Sequence, residues 1–151
     1  MTNNFFTSTF ILVVFLFFMG CNDDDSSSST NRLTGQWSIT AISNSSPTGP
    51  VIGPGDGEVI SITFVQNGEF SGSTSINSFG GRFTTNSDSL LINELVTTEA
   101  LDTFFGQAFY QAVFDSSNEN QNASEFEIVR ISESSINLVY DGFKFLTLEL
   151  M

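Results

Sequence analysis

From Leu33 onward the chain alternates apolar and polar residues. Leu33, Gly35, Trp37, Ile39 and Ala41 are interleaved with Thr34, Gln36, Ser38 and Thr40, the period of two expected of a strand with one buried face. Residues 44–57 hold all three prolines and four glycines and read as a loop. Alternation resumes at Ile60, Ile62 and Phe64, and continues after Asn67-Gly68 with Phe70, Gly72, Thr74 and Ile76. A two-residue turn would set Phe64 opposite Ser71, whereas a three-residue loop, Gln66 to Gly68 with Gly68 in the left-handed position, sets it opposite Phe70. The second keeps the apolar residues on one face and is the predicted register. Across Ser87-Asp88, Phe83 and Thr85 pair with Ile92 and Leu90.

One segment breaks the period of two. In Leu101–Phe114, residues Leu101, Phe104, Phe105, Ala108, Ala112 and Val113 recur at helical spacing, with Thr98 as N-cap and Ser116-Ser117-Asn118 as the stop. Strands follow at 125–131, 135–140 and 143–150. An Asp141-Gly142 turn between the last two sets Tyr140 opposite Phe143 and Leu138 opposite Phe145. Eight short strands and one helix predict a mainly β domain, a strongly curved antiparallel sheet or small barrel wrapped on that helix, at residues 33–151. Phe104, Phe105 and Ala108 are expected to face the barrel interior.

The first twenty residues carry a different pattern. Phe10 to Met19 is an unbroken apolar run of ten, within the range of a signal-peptide core and short of the ~20 residues that span a bilayer. Gly20 and Cys21 follow, an arrangement that resembles the lipobox of bacterial lipoproteins, in which the cysteine becomes the lipidated first residue. Phe18 stands where leucine is commonest, and no Lys or Arg precedes the core. An uncleaved short anchor is the alternative. The resemblance implies a signal peptide at 1–20, lipidation at Cys21 and membrane attachment through the lipid, since two or more acyl chains anchor a protein stably where one does not. Residues 22–32, acidic and then Ser-rich, have nothing to bury and read as a tether reaching at most about 35–40 Å. An acidic cluster after a lipidated cysteine also resembles the export tether of surface lipoproteins, which gives an expected location on the outer membrane, exposed at the cell surface. A merely solvated linker would have the same composition.

Charge and composition then remove whole classes of function. The 151 residues include 17 acidic and four basic side chains, no histidine and one cysteine, for a net charge of -13. Nucleic acid is excluded as a partner, because four cations cannot form a phosphate-neutralising patch. No Cys/His metal cluster, histidine-based nucleophile system or intrachain disulfide is possible. Asp115, Ser117 and Glu119 begin like a calcium loop, but Asn120 occupies its required glycine and Phe126 its final glutamate. Gly53-Pro54-Gly55-Asp56-Gly57 lacks the Lys-Ser/Thr and following helix of a phosphate cradle. Asp56 with Glu58, and Glu125 with Glu127, are carboxylate pairs that read as solvated strand faces. No catalytic residue, metal ligand or cofactor is therefore expected, and no residue is assigned to ligand binding. Asn77 is the polar residue to watch, with backbone hydrogen bonding at a bend as its expected role.

A family resemblance rests on Leu33-Thr34-Gly35-Gln36-Trp37, on Ile62-Thr63-Phe64 before Asn67-Gly68, on Phe70-Ser71-Gly72, and on Ile76-Asn77-Ser78-Phe79-Gly80-Gly81-Arg82-Phe83. With Leu90-Leu91-Ile92, Thr97-Thr98 and the helix, this order resembles the META (HslJ-like) domain over roughly Leu33 to Leu150. Members often carry cysteine before that asparagine; here Ile76 stands there, so packing is expected to replace any staple. The resemblance implies a β-rich, lipocalin-like fold enclosing a helix, no catalytic residues, and a role in envelope integrity or stress tolerance through protein contacts, as a monomer. Gly35-x-Trp37 also resembles the opening of lipocalin barrels, which would imply a cavity for a small apolar ligand. Eleven Phe residues after Cys21 favour a filled interior instead.

Overall fold

The computed structural model describes residues 33–86 and 88–151. The signal peptide at 1–20, Cys21 and the tether at 22–32 lie outside the described residues. In chain order the elements are β1 (Gly35–Ser43), β2 (Ile60–Phe64), β3 (Glu69–Ser73), β4 (Ser78–Asn86), β5 (Ser89–Thr97), α1 (Phe104–Asp115), β6 (Ser117–Asn118), β7 (Ala123–Arg130), β8 (Ser135–Tyr140) and β9 (Lys144–Leu150). Strands β1 to β5 form an antiparallel meander, β9 returns to pair with β1, and a β5–β7 ladder closes the ring. The result is an eight-stranded closed barrel with one helix. The two-residue β6 is an addition on the flank of β7, not a stave.

Two of the expected registers are observed. Phe64 lies opposite Phe70, with Gly68 at φ +81° in the loop between them, and Phe83 opposite Ile92. Two cross-strand pairs set a ring against a glycine, Phe79 opposite Gly72 and Phe70 opposite Gly81, and the space a Cβ would take is closed by the ring together with a backbone carbonyl, Ser61 at the first and Glu94 at the second.

The last hairpin differs from expectation. Tyr140 pairs with Lys144 and Leu138 with Leu146, because the turn spans Asp141, Gly142 and Phe143, with Asp141 and Gly142 both at positive φ. A slip of one residue exchanges every side chain between faces, and this register buries Leu146 and Leu148 while leaving Phe143 exposed. A bulge at Thr40 likewise shifts the phase of β1, so Ile42 rather than Ala41 enters the core.

The helix starts later than the apolar spacing predicts. Thr103, not Thr98, is the N-cap, its Oγ1 accepting from the Gly106 amide at 3.1 Å. The buried face is Phe105, Ala108, Phe109, Ala112 and Val113, whereas Phe104 is 74% and Leu101 86% exposed. Phe105, Ala108, Ala112 and Val113 of the predicted stripe do lie on the face that packs, whereas Leu101 precedes the helix and Phe104 lies about 100° round it from Phe105.

This helix crosses one end of the barrel. Its N-terminal end meets Thr74 and Asn77, between β3 and β4, while its C-terminal end meets Ser124 at the start of β7 and Lys144 at the start of β9. At about 1.5 Å per residue, twelve residues span roughly 18 Å, enough to bridge an eight-stranded mouth. Phe105 and Phe109 join Trp37, Phe64, Phe70, Phe79, Phe83 and Phe126 in one continuous core. Leu33 and Trp37, joined by a 2.7 Å bond from the indole N–H to the Leu33 carbonyl, lie at the end where β1 begins, opposite the helix. Trp37 is thus a packed plug.

Candidate functional site

The rim beneath the N-terminal end of α1 holds a buried polar cluster. β3 ends at Ser73, and the turn before β4 places Thr74 and Asn77 inward. Within the turn, Thr74 Oγ1 accepts from the Asn77 amide at 2.8 Å and from the Ile76 amide at 3.2 Å. Asn77 then reaches across to the β5–α1 loop. Its Nδ2 donates to the Ala100 carbonyl and to Asp102 Oδ2, each at 2.8 Å; its Oδ1 accepts from Thr98 Oγ1 at 2.8 Å and from the Ala100 amide at 2.9 Å. All four bonding positions of the amide are occupied. Asn77 does hold backbone at a bend, as expected, but the backbone it holds is more than twenty residues away.

Asp102 is the partner that makes the cluster possible. It is only 8% exposed, and its Oδ2 also accepts from Thr74 Oγ1 at 2.6 Å while its Oδ1 accepts from the Thr103 amide at 2.9 Å. Burial pushes this carboxyl up, but the bonds from Thr74, Asn77 and Thr103 outweigh it and hold the group below the ordinary 3.8. The carboxylate lies against Gly106, where a Cβ would collide with it. The sequence reading singled out Asn77 and passed over Asp102 and Thr74; the one local signal for Asp102 was an acidic residue just ahead of a helix N-terminus. Ile76 is 49% exposed, so the turn is held by this polar cluster and not by the packing expected there.

Two open grooves flank the cluster on the outside. One, about 500 Å³, runs past Thr97, Glu99, Leu101, Tyr110 and Phe114 between the β5–α1 loop and the helix. The second, about 370 Å³, separates Asn93, Glu94 and Leu95 of β5 from Ser117, Glu119 and Ser124. A third depression beside the helix C-terminus holds Asp115 and Asp141, both paired with Lys144 at 3.4 and 3.1 Å.

The remaining polar candidates lie apart from the Asn77 cluster. Among the described residues no three Asp, Glu, His or Cys side chains are positioned to hold a metal. Asp115 ends α1 and is paired with Lys144, while lining the same depression as Ser117 and Glu119. Glu58 accepts from the Gly55 amide at 2.6 Å, serving the glycine-rich turn as a brace, and Glu125 accepts from Asn118 at 2.6 Å and Gln121 at 3.2 Å.

With the Thr74–Asn77 turn and its barrel in view, the comparisons can be set against them. Residues 28–101 match the family model of the META domain. Over that stretch the chain is similar to the META domain. The matched region takes in β1 to β5 and both halves of the Asn77 network as far as Leu101; α1 and the strands after it follow the matched stretch. No curated protein matches the chain in sequence. Among solved structures, a protein from Burkholderia xenovorans determined by NMR is similar at TM-score 0.61 and 20% identity, over 83% of this chain and 88% of that one. A lipocalin-like protein from Bacteroides uniformis is similar at TM-score 0.51 and 17% identity, over 79% and 99%. At such identities the likeness is one of fold.

Proposed function

We propose that this protein is a lipid-anchored, non-enzymatic META-domain component of the bacterial envelope, held on the outer membrane through Cys21, displayed at the cell surface and supporting envelope integrity or stress tolerance by contact with other proteins. The observation that carries the reading is the filled barrel. Seven aromatic side chains of the barrel, Tyr140 among them, share one core with Phe105 and Phe109 on the inner face of α1, which favours an interior given to side chains and outer grooves open to partners. The direction of the chain supports it further. Leu33 enters at the end opposite the helix, so a lipid on Cys21 would place the helix end, with Leu101, Phe104 and Phe114 exposed, away from the bilayer. The buried carboxylate Asp102 is fully engaged in structural bonds, which favours a non-enzymatic role.

The competing reading is carriage of a small apolar ligand, as the likeness to a lipocalin-like protein suggests. Native mass spectrometry of the protein purified from its own envelope separates the two. An apo mass, together with cross-links to neighbouring proteins, supports contact; a mass excess of a few hundred daltons lost on denaturation would overturn it. Replacing Cys21→Ala tests the anchor, since the variant should leave the membrane fraction.

A further inference from the structure

We propose that the free edge of β5, residues Asn93 to Thr97, accepts an extended basic segment of a partner protein as an added strand. The inference rests on the protein-contact reading above and names the surface and the chemistry of the partner.

The barrel closes along only part of this seam. The β5–β7 ladder runs from Ser89 opposite Glu127 to Ile92 opposite Ser124 and stops there. β5 continues for five more residues, paired with β4 from Glu94 opposite Arg82 to Thr97 opposite Phe79. Ser124 already has Ile92 on one flank and Ser117 on the other, so β6 lies on the far side of β7 and no strand pairs with the β5 edge among the described residues; Tyr110 of α1 bonds Thr97 Oγ1 at 2.9 Å at its upper end. In an antiparallel ladder alternate N–H and C=O groups point to each side, so about half of those between Asn93 and Thr97 face the gap. The extra residue at Asn93 bulges this strand just where the ladder ends, turning its upper half away from β7.

Edges of this kind are blunted most often by lysine or proline, and also by other charges and by bulges, of which this one has Glu94 and Asn93. Here the middle of the edge carries Val96, 63% exposed, and neither lysine nor proline occurs in the segment. Both grooves along the edge are lined by carboxylates and no cation, Glu94 and Glu119 in the lower one and Glu99 in the upper one beside Leu101 and Phe114, with Arg82 standing opposite Glu94 on β4 outside them. The complement of such a surface is a strand that alternates apolar residues with Lys or Arg, its backbone bonding to β5 and its cations meeting Glu94, Glu99 and Glu119. A second copy of this chain is a poor fit, because it would bring the same carboxylates and a net charge of -13.

The test uses the full chain in detergent micelles and a synthetic ten-residue peptide of alternating valine and threonine interspersed with lysines. Amide hydrogen exchange should slow at Asn93–Thr97 on titration, by about tenfold or more. Affinity should fall by about tenfold between low salt and 0.5 M salt, and by a similar factor in the doubly substituted E94K/E119K chain, whose changes lie on exposed side chains. A peptide N-methylated at its valines keeps the charge but loses backbone donors, and should not bind. The proposal is overturned if the N-methylated peptide binds equally, if protection maps to another strand, or if sedimentation shows self-association that V96K abolishes. Photo-cross-linkers placed in turn at Val96, Val59 and Ile131 distinguish the two levels of the argument. Envelope cross-links from Val59 or Ile131 but not Val96 refute the edge and leave protein contact standing; none from any position refutes both.

Discussion

Replacing Asn77 by aspartate should produce a pH-dependent loss of stability whose size follows from the geometry of the rim. The substitution keeps the shape of the side chain but turns the Nδ2 donor, 2.8 Å from Asp102 Oδ2, into an oxygen. Two carboxylates at that separation would repel by about 6 kcal/mol at an effective dielectric of 20. Holding a proton on one of them at pH 7, against an unfolded value near 3.9, costs about 4 kcal/mol, so protonation is the cheaper response. The shared proton restores one hydrogen bond, while the Ala100 carbonyl loses its donor, adding about 1 kcal/mol. The expected loss is therefore about 5 kcal/mol at pH 7, and about 2.7 kcal/mol less at pH 5, where the proton is held at a cost two pH units smaller.

Asn77→Ala should behave differently. It loses all four side-chain bonds of Asn77 without adding charge, at about 2–4 kcal/mol, and its deficit should be the same at pH 7 and pH 5. Wild-type Asp102, held below its ordinary value, contributes stability that is complete above the unfolded value and is lost only as pH falls through the folded one, so it adds no slope in that window. Urea unfolding followed by the fluorescence of Trp37, the single tryptophan and 2% exposed, reads all three proteins. An N77D deficit that does not shrink between pH 7 and pH 5 would refute the argument that Asn77 and Asp102 face one another in a single buried network.

Three further outcomes follow from the packing. Phe105→Ala should cost about 3–5 kcal/mol in urea unfolding, whereas Phe104→Ala, one residue earlier on the exposed face, should stay within about 0.5 kcal/mol; equal effects would place the helix in the wrong phase. Gly81→Ala should destabilise by about 3 kcal/mol in thermal melts, because its Cβ would meet the Glu94 carbonyl, which is backbone and cannot rotate aside. Tyr140, whose phenol is pushed up to about 12 by burial and then by Asp115 and Asp141, contributes stability that is complete below its unfolded value near 10 and is lost as pH rises toward 12. Tyr140→Phe should abolish that alkaline loss and cost little at neutral pH, since the buried hydroxyl has no hydrogen-bond partner among the described residues; alkaline unfolding curves of the two proteins check both points.

Much of the barrel was legible along the chain. Alternation located the staves from β1 to β9, the Pro/Gly-rich stretch located the long loop, and two hairpin registers followed from keeping Phe64 with Phe70 and Phe83 with Ile92, because those choices depend on a turn and its own flanking residues. The charge balance, with four basic residues against 17 acidic, and the absence of histidine set expectations about partners and chemistry without reference to the fold.

What the tertiary structure decided is whatever depends on residues distant in sequence. Bulges at Thr40 and Asn93 reset which face is buried without changing the local pattern, so alternation could not reveal them. The final hairpin took the register that buries Leu146 and Leu148, a choice made by the barrel interior against the shorter turn. The helix carries apolar residues on several faces, and only the barrel mouth determined that Phe105 and Phe109, rather than Leu101 and Phe104, would be covered. Asn77 and Asp102 show the same division: each is an unremarkable polar residue in its own loop, and they become a pair only because the barrel brings the β3–β4 turn beneath the start of α1, where a buried donor must find an acceptor.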